Sequence, residues 1–112
     1  MELTIEELEN GVTKATLVGR MDIEGAQSVD MRFNVLAGSK KALVVDLSGV
    51  TFLASMGLRT LLVAGRAIAV KGGRMALAGP QENVMRVLTT SGADEVVAVT
   101  DTVAAAIAAV RG

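Results

Sequence analysis

The chain opens on alternation: Leu3 and Ile5 alternate with polar neighbours, and beyond Asn10-Gly11, a dipeptide suited to a hairpin turn, Ala15, Leu17 and Gly19 resume the same period. Two antiparallel strands are predicted. After Gly19-Arg20-Met21-Asp22 the apolar positions become Ala26, Val29, Phe33 and Leu36, spaced as one face of a helix requires, with Gly38 placed to stop it. The run Ala42-Leu43-Val44-Val45-Asp46-Leu47 is nearly continuous in apolar residues, the pattern of a central strand covered on both faces. A helix from about Met56 to Val70 follows, with Leu58, Leu61, Leu62, Gly65 and Ile68 as its buried stripe and Gly72-Gly73 as its end. Next come a short strand from Met75 to Ala78 and a helix opened by Pro80, carrying Val84, Val87 and Leu88 and ended by Gly92. Glu95 to Val99 reads as a weak edge strand, and Thr100 or Asp101 caps a last helix with Val103, Ile107 and Val110 on one side.

This order, β-β-α-β-α-β-α with a possible edge strand and then α, predicts an α/β fold. Because a strand, helix and strand in succession close into a right-handed parallel crossover, the sheet should be mixed, with four to five strands and helices packed on it. The 112 residues, about half of them apolar, fit a single domain spanning residues 1–112 that needs no metal or disulfide to hold its core.

Composition then removes whole classes of chemistry. Without cysteine there is no disulfide, thiol nucleophile or thiolate metal site, and without histidine the usual general base and the commonest metal ligand are missing. A net charge of −1, dispersed cations, two Phe and no Tyr or Trp argue against a nucleic-acid partner. The start, MELTIEELENG, is acidic where a secretory signal would be basic, and Arg59, Arg66, Lys71 and Arg74 interrupt the richest apolar region. A cytoplasmic protein with no membrane insertion is the expectation. The segment Gly65 to Lys71 misses the spacing of a phosphate-binding loop, and Gly11 and Gly19 form no dinucleotide fingerprint. Asp46 and Ser48 are expected to shape the turn after the central strand.

The stretch DLSGVTFLASMGLRTLL, Asp46 to Leu62, changes from strand to helix character at Ser55. Ser55 would serve as the N-cap of the following helix, contributing about 1 kcal/mol. Its setting also suits a phosphate: Gly57 leaves the first turn without a side chain, and first-turn amides with the positive end of the helix dipole favour an anion. Phosphorylation there would add roughly −1.5 to −2 charge units beside apolar surface.

That stretch resembles the signature of the STAS domain, found in anti-sigma factor antagonists and in the cytoplasmic tails of sulphate transporters. The resemblance extends to Gly19-Arg20-Met21-Asp22 and to GGRMALAGPQENVMRVLTTSG, and so covers essentially the whole chain. It implies a STAS fold, with Ser55 on the family's phosphorylated serine. It also implies a binding protein whose unmodified form holds an anti-sigma factor serine kinase, freeing a sigma factor, and which a PPM-type serine phosphatase resets. Ala54 stands where the family has an acidic residue, and Met56 where it has a small hydroxyl residue. The implied contact surface comprises Met21, Asp22, Ala54, Met56, Gly57, Arg59 and Val63, and the function calls for no cofactor and no metal; the sequence leaves the oligomeric state open, with a monomer expected.

Each of these residues also has a plainer role. Asp22 suits a cap or turn for the helix beginning near Glu24. Met56, Val63 and Ala67 form a second helical stripe, suited to an adaptable partner surface or else to a broad core, with Arg59 and Arg66 as its charged rim. Two other functions compete: a constitutive STAS subunit of a signalling scaffold or lipid-transport complex, and an enzyme, for which no serine-lysine or paired-carboxylate arrangement is convincingly spaced.

Overall fold

In the computed structural model, which describes residues 1–111, the two alternating segments become β1 (Glu2–Glu7) and β2 (Thr13–Met21), antiparallel, with Leu3 opposite Leu17 and Ile5 opposite Ala15. Their connection is wider than a two-residue hairpin. The Leu8 amide donates to the Val12 carbonyl at 2.7 Å across a 3-10 turn at Glu9–Gly11, where Asn10 and Gly11 take left-handed φ values of 62° and 76°. Asn and Gly tolerate that conformation best, so the dipeptide does turn the chain, inside a longer loop.

The three- and four-residue spacing builds α1 (Ile23–Ser39), which buries Ala26, Val29, Phe33 and Leu36. Gly38 does not stop it: the helix continues to Ser39, whose hydroxyl donates to the Val35 carbonyl at 2.8 Å.

The central strand departs most from expectation. β3 (Ala42–Leu53) does not end at Leu47 but runs on beside β2, parallel to it, through two register irregularities near Leu17 and Gly19. Asp46 and Ser48 act within the strand. The Asp46 Oδ1 accepts hydrogen bonds from the Ser48 amide at 3.0 Å and the Ser48 hydroxyl at 2.8 Å, which ties a local kink into the chain instead of a turn. β4 (Arg74–Ala78) pairs with β3 only as far as Asp46, leaving Leu47–Leu53 to outrun it.

α2 (Ser55–Val70) links β3 to β4 and ends at Gly72, whose φ is 80°. α3 (Glu82–Thr90) begins later than Pro80, since Gln81 is extended and serves as its cap. The segment expected as an edge strand divides: α4 (Ala93–Val96) takes Glu95, and β5 (Ala98–Thr100) pairs parallel with β4. α5 (Val103–Arg111) is capped neither by Thr100 nor by Asp101 but by Thr102, whose hydroxyl oxygen accepts from the Ala105 amide at 3.1 Å.

The sheet order is β1-β2-β3-β4-β5, mixed as expected, with β1 the antiparallel member. The helices cover its faces unequally. α1, α2, α3 and α4 bury one face over a core that includes Leu17, Phe33, Leu43, Val45, Leu61 and Leu77, each large side chain stabilising by about 1.5–3 kcal/mol. α5 alone covers the other, over Val12, Val44, Ala76 and Ala78. At the lower edge of the sheet, Glu7 accepts from the Thr13 hydroxyl at 3.1 Å and pairs with Lys40 at 3.0 Å. Those bonds, Lys40 first, hold its carboxyl below the ordinary glutamate range.

Candidate partner-binding site

Because β2 and β3 are parallel neighbours with Met21 opposite Leu53, the chain leaves both at the same end of the sheet and starts two helices side by side. The Ala54 amide donates to the Met21 carbonyl at 3.0 Å and locks the two junctions together. Asp22, at the first junction, is the N-cap of α1: its Oδ1 accepts from the Gly25 amide at 2.8 Å. Its Oδ2 lies 3.7 Å from Arg20 Nε, and with both side chains largely solvated that pair is weak. Arg20 also stacks its guanidinium 4.5 Å from the centre of the Phe52 ring.

At the second junction the N-cap is Ala54, not Ser55. Ala54 is extended (φ −93°, ψ 173°) and offers no side-chain bond, while Ser55 is the first helical residue. A serine and an alanine in succession both fit a helix start, and the strand's added length displaces the boundary by one position. The consequence is chemical. Ser55 is exposed with its hydroxyl unused as a cap, and the Met56 and Gly57 amides receive no capping acceptor.

Gly57 has a different reason to lack a side chain. It is buried, and a Cβ on it would come within 2.6 Å of Met21 Cγ and 2.9 Å of both Leu53 Cδ1 and the Met21 carbonyl. The glycine lets α2 approach the ends of β2 and β3; it opens toward the core, not toward an incoming molecule. Met21 is likewise fully buried. Expected on the contact surface, Met21 and Gly57 instead lie beneath it and support it.

Of the remaining sequence-predicted residues, Met56, Arg59 and Val63 line one depression and Ala54 and Ser55 another, while Asp22 lies in a third with Arg20 and Glu24. Met56 and Val63 are 39% and 43% exposed, and Ala67, Arg59 and Arg66 are exposed as well, so the core does not absorb the second stripe of α2. Two depressions flank the start of α2, and Ser55 lines the larger of them. One, about 240 Å³, lies between α1 and α2, with Gln27, Asp30 and Asn34 facing Met56, Arg59 and Val63. Thr60 lies buried at its base, donating within 3.3 Å of Asp30 Oδ1 and 3.1 Å of the Met56 carbonyl. The other, a broad hollow of about 640 Å³, runs from Phe52, Ala54 and Ser55 to Arg86 and Val87 of α3. α3 is held beside the overhanging part of β3 by two amide side chains: Gln81 donates to the Ser48 carbonyl at 2.9 Å and Asn83 to the Thr51 carbonyl at 2.8 Å.

Sequence reasoning missed Gln27, Asp30 and Asn34 on α1 and Phe52 and Arg86 on the other flank. Their shared signal is weak: each is a polar or isolated residue on an element whose core face is already accounted for, and only the packing of helices onto the sheet brings them beside Ser55. Among the described residues no cluster of carboxylates could hold a metal ion, and no helix is long and apolar enough to cross a membrane.

A mixed five-stranded sheet with a serine at the start of the helix after its central strand defines a class, and the chain belongs to the STAS domain family, whose model matches residues 5–106. It is similar to an anti-sigma factor antagonist from Mycobacterium paratuberculosis, with 28% identity, 99% of this chain and 94% of that one covered, and a TM-score of 0.88. A candidate anti-sigma factor antagonist from Thermotoga maritima gives 25% identity, coverage of 98% and 95%, and a TM-score of 0.89. At 18% identity, where likeness bears on fold alone, the Bacillus cell fate determinant SpoIIAA in its phosphorylated form gives coverage of 96% and 98% and a TM-score of 0.74.

Proposed function

We propose that this protein is an anti-sigma factor antagonist whose grip on a serine-kinase anti-sigma factor is switched by phosphorylation of Ser55. The observation that carries this reading is the exposed Ser55, its hydroxyl free of capping duty, at the head of the exposed strip of Met56, Arg59 and Val63. SpoIIAA, of the same fold, has a phosphorylated form, which supports a phosphate on this scaffold.

The chemistry follows from position. Unmodified, Met56 and Val63 offer adaptable apolar area and Arg59 a cation to the partner. A phosphate on Ser55 would sit at the positive end of α2, near amides without a capping acceptor, and one helical turn before Arg59. The monomer therefore tolerates it. The interface does not, because a dianion enters a surface built for apolar contact and the arginine is drawn to its own helix. Each 1.4 kcal/mol lost at the interface weakens binding about tenfold, so a loss of a few kcal/mol suffices to change partners. A PPM-type phosphatase would restore the binding form, and the protein acts as substrate and binding partner in the cytoplasm, not as an enzyme.

The test is incubation with the anti-sigma factor kinase and ATP, read by intact mass. One added phosphate on the wild type and none on Ser55→Ala is the expected result, with Ser55→Asp keeping the wild-type melting temperature but losing the kinase by at least about tenfold. A Ser55→Asp protein that binds as tightly as the wild type would overturn the switch in favour of a constitutive STAS subunit.

A further inference from the structure

The outward face of α2 continues well past the Ser55 turn. Met56, Val63 and Val70 recur every seven residues and are 39%, 43% and 88% exposed, so they trace one line along the helix. Arg59 and Arg66 repeat at the same interval beside them, both exposed. α2 contains no acidic residue, and neither arginine joins an ion pair among the described residues. A helix that merely faces water mixes both signs so that residues four apart pair; this one sets a single sign next to bare apolar side chains.

We propose that this line is a docking strip for an acidic amphipathic helix of a partner protein, laid along α2 from Met56 to Val70. At about 1.5 Å rise per residue the strip is roughly 21 Å long, enough for four turns of a partner helix. Charge decides the occupant. A second copy of α2 would set arginine against arginine, whereas a helix with apolar residues at heptad spacing and Asp or Glu on one flank matches both the apolar line and its cationic rim. The inference rests on α2 being the partner-facing helix and deepens that reading by naming the partner's chemistry; it does not depend on Ser55 being phosphorylated.

The experiment titrates the full chain, labelled on its Met and Val methyl groups, with a synthetic peptide of about three heptads carrying Leu at the core positions and Glu at the flanks, and in parallel with its Lys counterpart. The acidic peptide should shift Met56, Val63 and Val70 together, and Val70→Asp should weaken it about tenfold or more. Arg66→Glu should weaken the acidic peptide and strengthen the Lys peptide, a reversal that loss of structure would not produce. Kinase labelling of Ser55 in these variants is read separately, so failure of the strip and failure of the switch are distinguishable. No shift on α2, equal binding of both peptides, self-association of the chain through α2, or binding to anionic vesicles in place of the peptide would each overturn the proposal.

Discussion

At the level of single residues, the join between β3 and α2 sacrifices stability for accessibility. Ala54 occupies the N-cap, a position where Asp, Ser or Asn stabilises a helix by about 1 kcal/mol more than Ala. Ala54→Asp is therefore expected to raise the free energy of unfolding by about 1 kcal/mol in a urea titration, by supplying the acceptor that the Met56 and Gly57 amides lack. Gly57 gives the opposite case. Alanine there gains about 1 kcal/mol of helix propensity, but its methyl meets a backbone carbonyl held in place by the Ala54 amide, and overpacking of that kind costs about 1–3 kcal/mol. Gly57→Ala should lower the urea midpoint without a change in slope. Both substitutions lie beside Ser55, and neither result depends on any partner.

Among the elements, those with a strong period were legible before the structure. α1 and the amino-terminal pair follow from spacing alone, because a buried helix face and a half-buried strand each impose a rhythm on the chain. The far half of β3 was illegible for a physical reason: Asp46, Ser48, Gly49 and Thr51 break its apolar run, and it stays a strand because β2 on one side, and Gln81 and Asn83 on the other, satisfy its backbone. The site divides along the same line. The candidate residues Ser55, Met56, Arg59 and Val63 lie in one contiguous stretch and so are legible together, whereas the facing walls come from α1 and α3, which only packing onto the sheet brings near. Where β1, β2 and α1 meet, Glu7 gives a prediction of its own. Its carboxyl is depressed in the fold, so its contribution is complete above the ordinary glutamate value of about 4.3 and fades as pH falls through the lower folded value. Glu7→Gln should accordingly unfold with a shallower dependence on acid below about pH 4.3, measured by circular dichroism, while matching the wild-type slope near neutrality.

For the molecule as a whole, the unequal cover of the sheet sets the order in which it loosens. α5 holds its face through Ala106 and Val110 against Val12, Val44 and small alanines, far less apolar volume than the opposite side buries. Amides of α5 are expected to exchange with solvent through a local opening, ahead of those in β3 and α2, in a native-state hydrogen-exchange experiment. Uniform exchange at the global rate would show that both layers unfold together.

The overhang of β3 carries one more implication. Leu47–Leu53 continues past the last β4 pairing, and at about 3.3 Å per residue this sets the Ser55 turn roughly 20 Å further out along the strand axis than the end of β4. Here β2 accompanies the overhang as far as Met21, and Gln81 and Asn83 brace its other side, so the Ser55 turn is presented at the rim of the sheet on a buttressed backbone.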